Sequence, residues 1–395
     1  MSRQILLCVE TNSKARTDYQ YINETIHRFY VNDPKISYKP IFLESKSMYA
    51  SPKKQKEIGK YIKAYPEDTT VIYFIDLDDY DTNYETKKLF EDIKKYINYT
   101  NDYKFIKDNL YICLKKIIEA YITGIDVDDN NIYMERDGLI HSGTINTQNT
   151  WMDVKIGDFA VTPRNGKAVE INSLWYNALK IMEELAKKFE TKKVAEMYAE
   201  LADKTQKSFN RKFYNSDKRS LYDVLGDDRI RPNQLFSLSL SYQVLNPAGK
   251  NAREILKTVT NELYTRHGLR TLNRKDKQYI ATYEGDSYRR DISYHQGITW
   301  PWLFGLYNDA YKNVINNTKE GKVKTELQKQ YDQFIKNLKA TTKTMMYKEG
   351  CVLSISELYD SKPPYLPKGA FSQAWSVAEI FRIILDSKTE EEEER

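Results

Sequence analysis

Aromatic side chains interleaved with carboxylates and amides are the feature of this chain most suited to chemistry. All five tryptophans lie after residue 150. Aromatic faces stack on the apolar faces of pyranose rings, and carboxylates and amides hydrogen-bond the ring hydroxyls. The pattern therefore indicates a saccharide-binding cleft, although core packing explains any single segment about equally well. The segments are TWMD (150–153), GKAVEINSLWYNAL (166–179), RPNQLFSLSL (231–240), YHQGITWPW (294–302), SISELYDSKPP (354–364) and FSQAWSVAE (371–379).

Carboxyl groups in these segments suit the cleavage of a glycosidic bond. That reaction uses two carboxyl groups on opposite sides of the bond, one protonated and one ionised. Asp153 lies two residues after Trp151, and Glu357 lies in a polar loop that ends at Pro363 and Pro364. Residue chemistry alone does not choose these two over the other candidates, which are Asp158, Glu170, Asp286, Asp360 and Glu379.

Aromatic, amide and carboxylate residues of the same segments are predicted to contact the sugar. His295 is expected to contact a sugar hydroxyl rather than a metal, because no second histidine ligand accompanies it. Asn233 and Gln234, with Arg231, fit pocket residues and helix-capping groups equally well. The predicted substrate contacts are Trp151, Glu170, Asn172, Trp175, Tyr176, Asn233, Gln234, Asp286, His295, Gln296, Trp300, Trp302, Gln373 and Trp375.

The composition is that of a folded protein with a sizeable core. The chain has 395 residues, 41% of them hydrophobic, and a net charge of +5 that is too weak to indicate a nucleic-acid or membrane surface. Three distant cysteines without a CxxC pair predict neither a zinc site nor a disulfide framework. With no secretory signal and no membrane-spanning apolar run, the sequence predicts a cytoplasmic protein without a membrane partner.

Hydrophobic periodicity divides the chain into two regions. Up to about residue 95, apolar runs at 5–9, 40–43 and 70–75 alternate with helical stretches, which favours a small α/β unit with a parallel sheet. From about residue 98 the spacing is helical almost throughout. The helices predicted there are 103–122, 168–189, 191–212, 231–245, 250–263, 297–313, 322–346 and 371–386.

The ordered motifs carry a resemblance to a known family. TWMD, GD-x-x-VTPR-x-GK-x-VEIN-x-LWYNAL, YEGD, YHQG-x-TWPW, SISE-x-x-D-x-x-PP and QAWSVAE resemble the amylo-α-1,6-glucosidase domain of glycogen debranching enzymes, from about Tyr96 to Ile384. The resemblance implies a mostly α fold, an (α/α)6 barrel, that takes a single α-1,6-linked glucose stub of glycogen or another branched α-glucan. It implies hydrolysis with inversion and without a cofactor, with Asp153 as general acid and Glu357 as general base.

Two consequences of that assignment are testable in the structure. An inverting enzyme holds its carboxyl groups about 6.5 to 9.5 Å apart, which leaves room for the attacking water. An aspartic acid that donates a proton at neutral pH needs a raised pKa, which burial or a neighbouring carboxylate supplies. No segment resembles the 4-α-glucanotransferase of full debranching enzymes, so a separate glucanotransferase is a predicted partner.

The helix count departs from that of a complete barrel. About eight helices are predicted in the matching region, whereas an (α/α)6 barrel has twelve, so the barrel is expected to lack its first helices. The predicted organisation is a small α/β domain over 1–95, the glucosidase-type domain over 96–387 and an acidic tail over 388–395, with a fusion junction near Lys94 to Thr100. An inactive carbohydrate-binding remnant and a barrel completed by another subunit are the alternatives.

Acidic residues at predicted strand ends give the first region its own candidate site. Glu10 follows the first apolar run, and Asp76 and Asp78 follow the run at 70–75. The carboxyl ends of adjacent parallel strands converge, so these oxygen ligands could hold Mg²⁺. The set resembles a Toprim-type domain, which would make nucleic acid the substrate. An acidic loop after an edge strand explains the same residues equally well.

Overall fold

The computed structural model describes residues 4–11, 37–44, 69–74, 82–124 and 131–393, and side chains within 87–124 and 131–387. The chain separates into two compact units, Met1–Thr82 and Asn83–Arg395. The domain border predicted at residue 95 falls inside a helix, Thr82–Thr100. The last helix continues to Glu393, through most of the predicted acidic tail.

The first unit contains a three-stranded parallel sheet. Its strands are β1 (Gln4–Thr11), β2 (Ser37–Glu44) and β3 (Thr69–Phe74), in the order β2–β1–β3. The predicted parallel pairing is confirmed, since β1 pairs in parallel with both neighbours. The helical stretches predicted between these strands lie outside the described residues.

The second unit is mostly helical, as predicted. The helices Val169–Phe189 and Lys192–Lys212 are joined by two residues only, so they run antiparallel, and they pack against each other extensively. A π-helical turn, Ile106–Leu110, and a 3₁₀ turn, Pro232–Leu235, interrupt the helical segments. The α-helices are α1 (Thr82–Thr100), α2 (Tyr103–Phe105), α3 (Tyr111–Thr123), α4 (Val169–Phe189), α5 (Lys192–Lys212), α6 (Phe236–Ser239), α7 (Lys250–Leu263), α8 (Ser287–Ser293), α9 (Leu303–Asn317), α10 (Lys322–Lys348) and α11 (Ala374–Glu393).

Two predicted helices were too long. The helix predicted for 231–245 consists only of the 3₁₀ turn and α6, because serine hydroxyls compete for the backbone there: Ser237 Oγ donates to the carbonyl of Gln234 at 2.6 Å. The helix predicted for 297–313 begins only at Leu303. Pro301 precedes it, and residues 299–300 form a strand.

Short strands between the helices form the frame of the candidate site. A four-stranded antiparallel sheet pairs Leu269–Arg270, Thr299–Trp300, Leu358–Tyr359 and Pro367–Lys368 in that order. Three two-stranded hairpins accompany it in the described part of this unit. The strands are β4 (Tyr133–Met134), β5 (Ile140–His141), β6 (Lys155–Ile156), β7 (Phe159–Ala160), β8 (Tyr214–Asn215), β9 (Ser220–Leu221), β10 (Leu269–Arg270), β11 (Thr299–Trp300), β12 (Leu358–Tyr359) and β13 (Pro367–Lys368).

Helix α4 forms the centre of the core. Nearly all of its side chains from Val169 to Ala186 are buried, because apolar residues occur on every face of its first four turns. Helix α9 packs against α6 on one side and α11 on another. Within the described residues, no helix is long and apolar enough to cross a membrane.

Candidate active site

An aromatic cluster brings together three of the segments identified in the sequence. Trp151 contacts Trp300 and Trp302 edge-to-face, with ring centroids 5.8 and 5.0 Å apart. Trp375 stacks on Trp302 at 4.9 Å and meets Trp300 edge-on at 5.8 Å. His295 stacks on Trp300 at 5.5 Å. Residues from 151, 295–302 and 375 therefore form one continuous aromatic wall, the core of a predicted sugar site.

The antiparallel sheet positions Glu357 beside this wall. Thr299 of β11 pairs with Tyr359 of β12, so Glu357, two residues before Tyr359, lies near Trp300. The main chain of Glu357 donates to the carbonyl of Ala370 at 2.8 Å, which ties the loop after β13 to the same place.

Two donors hold the buried carboxyl group of Glu357. The hydroxyl of Tyr294 donates to Oε1, and the backbone N–H of Ala370 donates to Oε2 at 2.7 Å. Gly369 leaves the necessary space, since a Cβ at that position would lie 2.3 Å from Oε2 of Glu357. Both oxygens thus act as hydrogen-bond acceptors, and the two donors fix the orientation of the carboxyl group.

Asp153 occupies a different environment. Its side chain retains accessible surface, yet it lies in a recess where the surrounding protein desolvates the carboxyl group. Desolvation raises the pKa of Asp153 to about 6, its own backbone N–H opposes that rise, and the charge of Glu357 adds to it. A group that is open to a ligand but poorly hydrated can remain partly protonated near neutral pH.

Tyr294 donates a hydrogen bond to Glu357 and lies within electrostatic range of Asp153. Its phenolic pKa is raised by burial first, then by the charge of Glu357 and the hydrogen bond to it, and more weakly by Tyr283 and Asp153. Tyr294 therefore stays a protonated donor. Both Asp153 and Glu357 lie within electrostatic range of this hydroxyl and of each other.

A buried ionic network supports the wall from behind. Trp151 Nε1 donates to Asn233 Oδ1 at 2.7 Å, and Asn233 Nδ2 donates to Asp223 Oδ1 at 2.8 Å. Asp223 accepts from Arg164 Nε at 2.6 Å, and the same guanidinium pairs with Glu170. Each buried charge has an opposite partner, as burial requires.

Arg231 joins this network to the histidine loop. Its guanidinium donates to the carbonyl of His295 at 2.7 Å and to Gln296 Oε1 at 2.8 Å, and its Nε lies 3.6 Å from Asp223 Oδ2. Burial lowers the pKa of Arg231 to about 10. At neutral pH the side chain is thus a cation that fixes the backbone around His295.

Several buried polar atoms at the wall have no partner among the described residues. Neither ring nitrogen of His295 makes a hydrogen bond, and the same holds for Nε1 of Trp302 and of Trp375. Burial, followed by the charges of Arg231 and Arg164, lowers the pKa of His295 well below its usual value. The imidazole is therefore neutral, with one ring nitrogen as a donor and the other as an acceptor.

Other predicted contacts lie where protein partners already satisfy them. Glu170 pairs with Arg164, and Asn172 bonds the backbone of Ile140 in both directions, at 2.7 and 3.2 Å. Trp175 is fully buried and donates to the carbonyl of Gly138 at 3.1 Å. Their positions on α4 favour a structural role.

Most of the remaining predicted contacts also make hydrogen bonds within the protein. Tyr176 is buried and accepts from Gln206, and Gln234 bonds Leu221 and Arg231 within the interior. Asp286 caps α8 through the N–H of Arg289 at 2.9 Å. Gln373 is half-buried and lies two residues before Trp375. Asn233 and Gln296 act through the network behind the wall.

The other candidate carboxylates have fixed partners or lie apart. Asp360 accepts from the N–H of Tyr283 at 2.8 Å and lies 3.8 Å from Lys368, and Glu379 pairs with Arg382. Asp158 is exposed in the turn between β6 and β7. Asp153 and Glu357 lie within electrostatic range of each other, and their choice as the catalytic pair stays a prediction.

Tyr294, Asp223 and Arg164 are site residues that the sequence did not reveal. Tyr294 directly precedes His295 in the YHQG motif, which was its only signal. Arg164 lies in the VTPR stretch and has a left-handed backbone with φ of 39°. Its partner Asp223 lies in no motif, and only the fold brings it near.

The predicted metal site stays untested. Asp76 and Asp78 lie outside the described residues, and Glu10 is described only as part of β1. Among the side chains that the structure does describe, no three histidine, cysteine or carboxylate groups are arranged to hold a metal ion.

Comparisons with known proteins agree with the family resemblance of the sequence motifs. Residues 79–382 match the family model described as amylo-alpha-1,6-glucosidase. Glycogen debranching enzyme of Saccharomyces cerevisiae is 26% identical over 301 residues, covering 63% of this chain and 19% of that protein, so the chain spans about a fifth of that relative's length. Among solved structures, a sialidase has a TM-score of 0.55 at 13% identity, covering 77% of this chain and 26% of its own.

Proposed function

The chain belongs to the amylo-α-1,6-glucosidase family, a family of glycoside hydrolases, and we propose that it hydrolyses single α-1,6-linked glucose stubs of glycogen or a related branched α-glucan. The proposal rests on two carboxyl groups of unequal environment, Asp153 and Glu357, beside an aromatic wall. The comparison with the yeast debranching enzyme supports the choice of substrate class.

Asp153 acts as the general acid in this proposal. A pKa of about 6 leaves about a tenth of the group protonated at pH 7, against about a thousandth for an ordinary aspartic acid. Its accessible surface lets it reach a glycosidic oxygen. The proton passes to that oxygen as the bond to the glucose carbon breaks, which allows the shortened glucan to leave as an alcohol.

Glu357 acts as the general base. Tyr294 and the N–H of Ala370 orient its carboxylate, and each oxygen keeps a further lone pair that can accept from a water molecule. The water attacks the anomeric carbon on the face opposite the leaving oxygen and gives its proton to Glu357. The product is then β-glucose from an α-linkage. This mechanism requires the predicted carboxyl separation of about 6.5 to 9.5 Å.

The aromatic wall supplies the binding surface. Trp302 and Trp375 stack in parallel, and the indole N–H groups of both lack protein partners among the described residues. The neutral imidazole of His295 adds a donor and an acceptor. Such groups suit a neutral, hydroxyl-rich ring, and a sugar that bonds them removes the cost of leaving them unpaired.

The proposal extends to partners and place of action. We propose that a glucanotransferase shortens the branches to single stubs before this domain acts. The widely spaced cysteines suit a reducing cytosol.

Glucose release from a glucosyl-branched maltodextrin tests the function directly. Wild-type protein is expected to release glucose, and Asp153→Asn is expected to lose at least about 100-fold in kcat, as removal of a general acid does. Asp158→Asn is the matched control, because that aspartate lies five residues on, is exposed and has no place in the mechanism. Full activity of Asp153→Asn, or no glucose from folded wild-type protein, would refute the proposal.

A further inference from the structure

A row of buried polar side chains crosses one face of the four-stranded antiparallel sheet. Arg270 of β10 pairs with Thr299 of β11, and Thr299 pairs with Tyr359 of β12. Directly opposed residues of antiparallel strands project from the same face of the sheet, so these three side chains lie side by side. All three are buried, and none takes part in the proposed hydrolysis.

Each side chain of this row has a polar atom without a hydrogen-bond partner among the described residues. The atoms are Nε of Arg270, Oγ1 of Thr299 and the phenolic oxygen of Tyr359. A buried polar atom without a partner destabilises a fold, and such atoms are rare in native proteins. Three of them on adjacent strands indicate one ligand that they share.

Arg270 gives the row a buried positive charge that no carboxylate of the described residues neutralises. Its Nη1 donates to the carbonyl of Tyr264 at 3.0 Å, and its Nη2 donates to the carbonyl of Ser361 at 3.1 Å. The buried guanidinium of Arg231, by contrast, lies 3.6 Å from the carboxylate of Asp223. Since buried charges are ordinarily paired, the geometry around Nε of Arg270 calls for an anion.

Two carboxylates act near the row, and each already has a partner. Glu349 contributes to the electrostatics of Tyr359, and its Oε2 lies 2.9 Å from Nε2 of His267. Asp360 directly follows Tyr359 in β12, and its Oδ2 lies 3.8 Å from Nζ of Lys368. The charge of Arg270 is therefore left for a ligand.

The two hydroxyls beside Arg270 can donate to the same anion. Burial, followed by the charge of Glu349, raises the pKa of Tyr359, and Ser356, which lies near the phenolic oxygen outside hydrogen-bonding geometry, opposes the rise. The phenol thus keeps its proton at neutral pH. A threonine hydroxyl rotates to suit its partner, so Thr299 can donate as well.

We propose that Arg270, Thr299 and Tyr359 bind a chloride ion. One guanidinium matches a single negative charge, and the N–H and O–H groups are donors that a halide accepts. The most exposed member of the row, Arg270, is only 6% exposed, which favours a small anion over a phosphate. The ion ties together three strands of the sheet that carries Trp300.

A chloride titration followed by thermal unfolding of the full chain tests the site. Sodium chloride replaces sodium gluconate at constant ionic strength, and a ligand that binds only the folded state raises Tm with its concentration. We expect a saturable rise for wild type. Tyr359→Phe and Thr299→Val each delete one donor, so the midpoint of the titration should move to about tenfold higher chloride. Arg270→Gln should abolish the chloride dependence.

Tyr111 provides the matched control for the loss of a hydroxyl. Its phenolic oxygen is also buried without a partner among the described residues, and its ring packs edge-on against Phe189 at 5.1 Å. It lies on α3 and not in the sheet. Tyr111→Phe therefore removes a comparable buried hydroxyl, and we expect it to keep the wild-type chloride midpoint.

The outcomes separate this site from the proposed hydrolysis. No saturable effect of chloride on the Tm of wild type would overturn the proposal, and so would a midpoint that Tyr359→Phe and Thr299→Val leave unchanged or that Tyr111→Phe shifts equally. Thermal unfolding requires no substrate, so the site can fail while glucose release succeeds, and the reverse.

Discussion

The hydroxyl of Tyr294 donates a hydrogen bond to Oε1 of Glu357, and the two residues lie 63 positions apart in the chain. Burial and the adjacent carboxylate raise the pKa of the phenol, so the donor keeps its proton across the working pH range. With the N–H of Ala370 on the other oxygen, Tyr294 fixes the plane of the carboxylate. Tyr294 is thus a positioning residue for the proposed base.

Removing that hydroxyl tests its role. Tyr294→Phe keeps the ring that packs on Trp300 at 4.8 Å and deletes only the donor to Glu357. We expect kcat to fall about tenfold to 100-fold with little change in KM, because a misplaced base affects the transition state more than binding. Steady-state kinetics on a glucosyl-branched maltodextrin gives both constants.

Tyr283 provides the control for that substitution. Its ring lies 5.6 Å from that of Tyr294, and no hydrogen bond joins it to Glu357 among the described contacts. Tyr283→Phe should retain wild-type kcat. A Tyr294→Phe enzyme with unchanged kcat would mean that Ala370 alone positions the carboxylate.

The close approach of Gly369 to the carboxylate of Glu357 supports a second prediction. Gly369 has φ of 68°, and an added Cβ would lie 2.3 Å from Glu357 Oε2. We expect Gly369→Ala to displace the carboxylate and lower kcat about 100-fold, besides a strain cost of about 1–2 kcal/mol in the left-handed backbone. Activity and thermal unfolding measured on one preparation distinguish the two effects.

Gly157→Ala is the control that separates backbone strain from displacement of the Glu357 carboxylate. It has φ of 57°, and an added Cβ would meet no atom within 4 Å. Gly157→Ala should lose similar stability and keep its activity. Equal losses of kcat in both variants would assign the effect to backbone strain and remove the argument about Glu357.

The raised pKa of Asp153 predicts the pH dependence of activity. The acid must be protonated to act, so kcat/KM should fall about tenfold per pH unit above about pH 6. A pH–rate profile of the free enzyme measures this limb, and Asp153→Asn should lose it together with the activity. A rate that stays constant from pH 6 to pH 8 would argue against Asp153 as the acid.

Stability should depend on pH in a related way. The folded-state pKa of Asp153 lies above its unfolded value of about 3.9, so the folded protein binds more protons between about pH 4 and pH 6. The contribution of this group to stability is fully present below pH 4 and is lost as pH rises through 6. Asp153→Asn should therefore raise Tm at pH 7, relative to wild type, more than at pH 4.

Substitution of Glu170, which lies in the same segment as Trp175, tests whether this residue contacts the sugar or stabilises the fold. Its carboxylate is fully buried against Arg164, so Glu170→Ala leaves two buried guanidinium groups, those of Arg164 and Arg231, with the single carboxylate of Asp223. We expect a loss of about 3–5 kcal/mol in the free energy of unfolding, measured by denaturant titration. Glu200→Ala, an exposed position on α5, should change it little. Weaker glucan binding without a loss of stability would instead support the predicted sugar contact.

Sequence motifs predicted the helical class correctly, whereas the pairing of Asp153 and Glu357 as acid and base stays a prediction. TWMD and SISE each hold a candidate carboxylate in a loop beside short strands. The VEIN-x-LWYNAL motif, by contrast, lies on α4, where apolar neighbours on every face bury the polar residues as well. Interleaved polar and aromatic residues look alike in both settings, so the pattern could not separate Trp151 from Trp175.

Other features depend on tertiary contacts that no local pattern encodes. Asp223 matters because the fold brings it to Arg164, 59 residues away, and Tyr294 because β11 and β12 bring it to Glu357. The helix predicted for 231–245 is shorter than expected for a local reason. The hydroxyl of Ser237 bonds the backbone, and the spacing of apolar residues carries no information about such bonds.

The configuration of the glucose released is the most direct test of the proposed acid and base pair. NMR of the anomeric proton, recorded within minutes of mixing the enzyme with a glucosyl-branched maltodextrin, should show β-glucose first, because water activated by Glu357 attacks opposite the leaving oxygen. Glu357→Gln should abolish that signal and Asp158→Asn should preserve it. Release of α-glucose first, or an unchanged signal from Glu357→Gln, would contradict the assignment of Asp153 and Glu357.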